Sequence, residues 1–143
     1  MDIYFFTGLP NRYDYSIAFI DKYLDKQSFN KKVSIYIPDI CVSEKFMHDL
    51  WSYNPHNSFI SITNSNDINA NYANVIIYND DNFINFNSEL LINFSQDIIQ
   101  NEYFNKIIEF IDLDNLNIAC GRQKYKFYKQ QNFNINHKEY KKA

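Results

Sequence analysis

Apolar residues recur along the chain in two alternating rhythms. Asp2–Phe6 (DIYFF) is a short apolar run closed by Gly8 and Pro10, the pattern of a strand. Tyr13, Ile17, Ile20 and Leu24 then recur at helical spacing as far as a break near Gln27. Val33–Ile37, closed by Pro38, predicts a second strand. Ser43 is a candidate helix cap with Glu44 in the first turn, and Phe46, Met47, Leu50 and Trp51 form that helix's apolar stripe. Phe59–Ile62 and Asn74–Tyr78 predict two further strands around a polar loop, NSNDINANYA, and Leu90–Phe94 predicts a fifth. Two helices complete the series. One carries Phe104, Ile107, Ile108 and Ile111; the other runs from a cap at Asp114 to about Asn132.

Strands that alternate with helices predict an α/β fold: a three-layer sandwich with a largely parallel central sheet. The pattern contains no repeat or linker, so residues 1–143 read as a single domain. At 143 residues the chain is long enough for a substantial core, and at 45% hydrophobic it is not expected to be disordered. No stretch approaches the roughly 18 apolar residues of a membrane span. The start, MDIYFFTGLP, lacks the basic region of a secretory leader. Cys41 and Cys120 have no metal or redox spacing and read as reduced thiols of a cytoplasmic protein.

The chemistry of catalysis is missing. Gly8 and Gly121 are the only glycines, and neither belongs to a phosphate-cradling GxGxxG or GxxxxGK[ST] motif. The sheet is therefore expected to be Rossmann-like without a nucleotide-binding loop, and no cofactor is implied. His48, His56 and His137 have no partner at metal-ligand spacing. Ser43 and Ser58 lack the flanking glycines of a nucleophile elbow. Asp80 and Asp81, between Asn79 and Asn82, read as a polar turn. These absences point away from an enzyme.

Charge changes the picture near the end. Residues 1–114 hold seven Lys/Arg and sixteen Asp/Glu, whereas residues 115–143 hold seven basic residues and one acid, Glu139. The stretch GRQKYKFYKQQNF, Gly121–Phe133, contains four basic and four aromatic residues and no acid. Projected at 100° per residue, Leu116, Ala119, Cys120, Gln123 and Phe127 share one side, expected to meet the sheet. Ile118, Arg122, Tyr125, Lys126 and Lys129 share the other. That outer face reads as an ordinary solvated surface, a single-stranded nucleic-acid surface or a receptor for an acidic peptide. The net acidity of the rest of the chain disfavours phosphate, since affinity for nucleic acid needs several cationic contacts. A free carboxylate suits Arg122 and Lys126 better, with Tyr125 as an aromatic plate beside them.

Two segments carry a family resemblance. LWSYNPHNSF, Leu50–Phe59, resembles the Leu-Trp segment and following Ser-Phe pair of the chi subunit of bacterial DNA polymerase III holoenzyme. GRQKYKFYKQQNFNIN, Gly121–Asn136, resembles that family's Arg-x-x-Tyr-Lys-x-Tyr helix and its Phe-Asn-x-Asn ending. The resemblance spans nearly the whole chain and implies a non-catalytic bridge in DNA replication. One side would bind the acidic C-terminal tail of single-stranded-DNA-binding protein, and the other the psi subunit of the clamp loader. Nucleic acid would be met only indirectly. Carried over by residue, Arg122, Tyr125 and Lys126 would hold the tail, with Lys129 and Ile118 beside them, and Trp51 and Phe59 would face psi. Ile118 stands where the family has a basic residue. The Trp51-to-Ser58 spacing is one residue longer than the family's, and Ile60, Ser61 and Ile62 stand where a Pro-His often follows.

Overall fold

The computed structural model describes residues 1–24, 31–53, 62–67, 73–83, 88–99 and 103–141. In chain order the elements are β1 (Asp2–Leu9), α1 (Arg12–Tyr23), β2 (Val33–Tyr36), α2 (Ile40–Tyr53), β3 (Ile62–Asn64), β4 (Val75–Tyr78), β5 (Leu90–Asn93), β6 (Lys106–Asp112), α3 (Asn115–Gln130) and β7 (Asn134–Glu139). The seven strands form one sheet in the order β3-β4-β2-β5-β6-β1-β7, and every pairing is parallel. The expected α/β class and parallel sheet are therefore present.

The inner strands explain themselves. Every residue of β2 (VSIY), β4 (VIIY) and β5 (LLIN) is buried, because a parallel strand covered on both faces needs a near-continuous apolar run. One face packs under α1 and α2 through Ile17, Ile20, Phe46, Leu50, Ile35, Ile77, Ile92 and Phe110. The other face carries Ile3, Phe5, Ile76, Leu91 and Ile107, covered by Tyr128 of α3 and by aromatics from the connections. Phe83 sits at the centre of the latter group, edge-on to Tyr78, Tyr36 and Phe104 at 5.2, 5.8 and 5.0 Å between ring centroids. The Asp80–Asp81 turn is as expected, closed by the Asn82 N–H donating to Asp80 Oδ1 at 3.0 Å.

Four expectations change. The segment carrying Phe104, Ile107, Ile108 and Ile111 is not a helix: from Lys106 it is β6, paired with β1 and β5. Its apolar positions fit a helical period, but a strand buried on both faces produces the same short run, and KIIEFID is rich in β-formers. β7 was not anticipated, because NINHKE has no apolar alternation; it is an edge strand on β1 with mostly exposed side chains. Ser43 does not cap α2. The helix starts a turn earlier, with Asp39 Oδ1 accepting from the Val42 N–H at 3.1 Å, and Ser43 is buried. The predicted Phe59–Ile62 strand overlaps β3 only at Ile62, and Phe59 lies outside the described residues.

α3 has well-defined ends. Asp114 Oδ1 accepts from the N–H groups of Leu116 and Asn117 at 3.0 and 3.2 Å, as the sequence predicted. At the other end the Asn132 N–H donates to Lys129 O and the Phe133 N–H to Tyr128 O, with Asn132 at φ 60° and the Phe133 ring against Tyr128. This is a Schellman stop with Asn in the left-handed position, and it turns the chain directly into β7.

Candidate functional site

α3 descends across β6 and β1, and β7 returns beside it. Their upper halves enclose a groove of about 500 Å³ lined by Phe5, Thr7 and Gly8 of β1, Ile111 and Asp112 of β6, Ile118, Gly121, Arg122 and Tyr125 of α3, and His137 and Glu139 of β7, with Leu113 at the lip. Two small residues shape it. Gly8 has φ +71°, a conformation open mainly to glycine. Gly121 lets α3 approach β6 so closely that an added Cβ would overlap Ile111 Cδ1.

Phe5 meets the Tyr125 ring at 5.5 Å between centroids, making an aromatic floor that is continuous with the core through Tyr128. Thr7 Oγ1 and His137 Nε2 are hydrogen-bonded at 2.7 Å across the β1–β7 pair. Asp112 is held in place: it accepts from Asn117 Nδ2 at 2.9 Å and the Asp114 N–H at 3.1 Å, and faces Arg12 Nε at 3.9 Å.

The sequence-predicted site residues divide. Arg122, Tyr125 and Ile118 come together on the groove wall. Lys126 and Lys129 are exposed on the same helix outside the lining, giving a cationic flank. Trp51 stands apart on the last turn of α2, 68% exposed, although it belongs to the predicted apolar stripe. Phe46 and Leu50 fill that stripe's buried positions instead.

The inward face of α3 differs from the projection. Leu116, Ala119 and Gln123 are exposed, while Gly121, Lys124 and Tyr128 are buried. The helix is turned by roughly 100°, one residue's step, from the orientation that apolar counting prefers. The cause is polar. Lys124 Nζ donates to Glu109 Oε1 at 2.9 Å and to the Ser95 carbonyl at 2.6 Å, the two charged side chains being 6% and 3% exposed. Glu109 Oε2 also accepts from Asn93 Nδ2 at 3.1 Å and faces the Tyr128 hydroxyl at 3.4 Å. Burial raises the Glu109 carboxyl above the ordinary carboxylate range, against the opposing pull of Lys124, Asn93 and Tyr128. Burial and the neighbouring Glu109 likewise raise the Tyr128 phenol. Lys124 is thus a core residue, and α3 presents Arg122, Lys126 and Lys129 to solvent.

The β1 and β7 contributions to the groove escaped the sequence reading, which had no strand at β7. The helical Gly121 was a usable signal, since a glycine inside a helix marks close approach. Among the described residues no cluster of three His, Cys, Asp or Glu side chains is placed to hold a metal ion, and no helix is long and apolar enough to cross a membrane.

A family model described as DNA polymerase III chi subunit, HolC, matches residues 1–136. No curated protein sequence matches the chain. Among solved structures, domain 2 of the DEAD-box helicase Mss116p bound to an RNA duplex is similar at a TM-score of 0.67 and 11% identity, over 99% of this chain and 64% of that one. An S. cerevisiae Dbp5 variant bound to Nup159, a Gle1 variant, IP6 and ADP gives 0.65 and 7%, over 99% and 42%. The S. cerevisiae Dbp5 C-terminal domain bound to a Gle1 variant and IP6 gives 0.57 and 10%, over 94% and 88%. The chain spans less than two thirds of the first two structures, and at these identities the likeness is one of fold alone.

Proposed function

The chain belongs to the DNA polymerase III chi subunit family, an accessory subunit of that polymerase, and on that premise we propose that it is a non-catalytic bridge in DNA replication. One surface takes the acidic C-terminal tail of single-stranded-DNA-binding protein; the other takes the psi subunit of the clamp loader. The proposed setting is the cytoplasm, with residues 1–143 acting as one domain and no cofactor.

The observation that carries this reading is the groove beside α3. It offers an apolar, aromatic floor of Phe5, Ile111 and Tyr125 with Arg122 on its wall and Lys126 and Lys129 on the flank. A peptide that ends in an apolar residue with a free carboxylate, preceded by acids, matches each part: side chain to floor, carboxylate to the Arg122 fork, acids to the flank. Ile118 extends the apolar wall where the family has a cation. Trp51 supports the psi surface, because a largely exposed Trp is an expensive residue to leave in water without a partner. Direct single-stranded nucleic-acid binding, the other reading of α3, loses one cation to the core with Lys124.

The test is calorimetric titration with the peptide Asp-Asp-Ile-Pro-Phe, as free acid and as amide. The free acid is expected to bind and the amide to bind far more weakly, and Arg122→Ala is expected to cost about 1.5–3 kcal/mol, the worth of a hydrogen bond to a charged group. Equal binding of acid and amide would refute the carboxylate reading.

A further inference from the structure

The groove contains one histidine, and its placement gives that histidine a task. β7 runs back along α3, so alternate residues on its inner face meet successive turns of the helix. Phe133 and Ile135 pack with Tyr128 and the core, and His137 and Glu139 continue the same face into the groove. The ring of His137 is fixed there by Thr7 Oγ1 at 2.7 Å from Nε2.

The charges around it come from each wall. β6 contributes Asp112, engaged by Arg12, Asn117 and the Asp114 N–H; α3 contributes Arg122 and the phenol of Tyr125; β7 contributes Glu139; and β1 contributes only Thr7 and the backbone of Gly8 beside Phe5. With Asp112 so engaged, Arg122 and Glu139 are opposite charges that offset one another, and His137 decides the sign of the groove. Among the described residues no Lys, Arg or His lies within ion-pair distance of Glu139.

We propose that His137 is a specificity-determining residue for the carboxylate-ended peptide of the preceding section, its imidazolium offsetting Glu139 and making capture of the peptide tighter as pH falls. The inference rests on the proposed peptide reading. Thr7 holds the ring in either protonation state, since its hydroxyl both donates and accepts. Protonation therefore changes the charge of the groove without moving the side chain.

The experiment is the titration of N-acetylated Asp-Asp-Ile-Pro-Phe free acid at pH 8.0 and pH 6.0 and constant ionic strength, against the parent protein, His137→Gln and Glu139→Gln. The parent is expected to bind about twofold to fivefold tighter at the lower pH, the scale of one partly exposed charge contact. His137→Gln is expected to bind equally at both. Glu139→Gln is expected to bind more tightly than the parent at pH 8.0. Far-ultraviolet circular dichroism of the variants checks that β7 and the sheet are intact. pH-independent binding by the parent, or a dependence that survives in His137→Gln, overturns the role of His137 and leaves the peptide site standing. No binding by the folded parent at either pH overturns the peptide site itself, and this inference with it.

Discussion

Replacing Lys124 by Met tests the buried pair that sets the rotation of α3. Met keeps most of the side-chain volume and removes the ammonium. Glu109 then remains 3% exposed, with Asn93 and Tyr128 as polar neighbours and no cation. Leaving one member of a buried pair uncompensated costs about 3–5 kcal/mol. A second route gives a similar figure. If Glu109 escapes by taking up a proton, the cost from its ordinary value of 4.5 is about 3.4 kcal/mol at pH 7 and about 0.7 kcal/mol at pH 5.

The sign follows from the direction of the shift. Burial raises the folded carboxyl, so its contribution to stability is full below the unfolded value and is lost as pH rises through the folded one. Removing Lys124 removes an opposing pull and extends that window upward. In urea denaturation at pH 7, Lys124→Met is expected to lose about 3–5 kcal/mol, or roughly 10–20 °C in Tm for a chain of this size. At pH 5 most of the deficit should disappear. Lys124→Met with Glu109→Gln, which removes both charges, is expected to recover most of the loss at pH 7. A single variant within about 1 kcal/mol of the parent at pH 7, or a deficit that does not shrink on acidification, would refute the reasoning.

Three further outcomes follow from the geometry. Gly121→Val would put a branched side chain into space that Ile111 Cδ1 already fills; overpacking of about 1–3 kcal/mol and at least a ~10-fold loss of peptide affinity are expected, read by urea denaturation and calorimetry. Asp114→Ala removes the acceptor for the Leu116 and Asn117 N–H groups, which is expected to cost about 1 kcal/mol in the urea midpoint with no change in the folded far-ultraviolet spectrum. Trp51→Ala, at a position 68% exposed, is expected to change stability by less than about 0.5 kcal/mol while abolishing capture of psi in a co-purification assay.

Much of the fold is written in short apolar runs bounded by Pro, Gly and Asn, as β1, β2, β4 and β5 illustrate. The Asp114 cap was equally plain, because capping is a local event. β6 was hidden because burial on both faces erases the alternation that distinguishes a strand. β7 was hidden for the opposite reason: an edge strand takes its place from backbone pairing with β1, and its polar side chains carry no period. The site was half legible. Arg122, Tyr125 and Ile118 were grouped correctly, but the rotation of α3 turns them toward the groove, with the Tyr125 ring against Phe5, and not fully outward. Lys124 was misplaced because a lysine reads as solvated until its partner is known. Glu109, in the middle of KIIEFI, was the matching anomaly, fifteen positions away and beyond the reach of local pattern. Each charge makes sense only in the company of the other.

The position of β1 in the sheet has a consequence for the order of assembly. β1, the earliest of these seven strands in chain order, lies between β6 and β7, neither of which begins before Lys106. During synthesis β2 and β4 have both neighbours by Asn93, whereas β5 waits for β6 on one edge and both edges of β1 stay unpaired until residue 106 and beyond have emerged. Such long sequence separations slow folding and leave an apolar edge open to wrong partners in the meantime. The groove, built from β1, β6, α3 and β7, is among the last features to exist. A chain that stops short of β7 lacks the groove, and with it the peptide site proposed above.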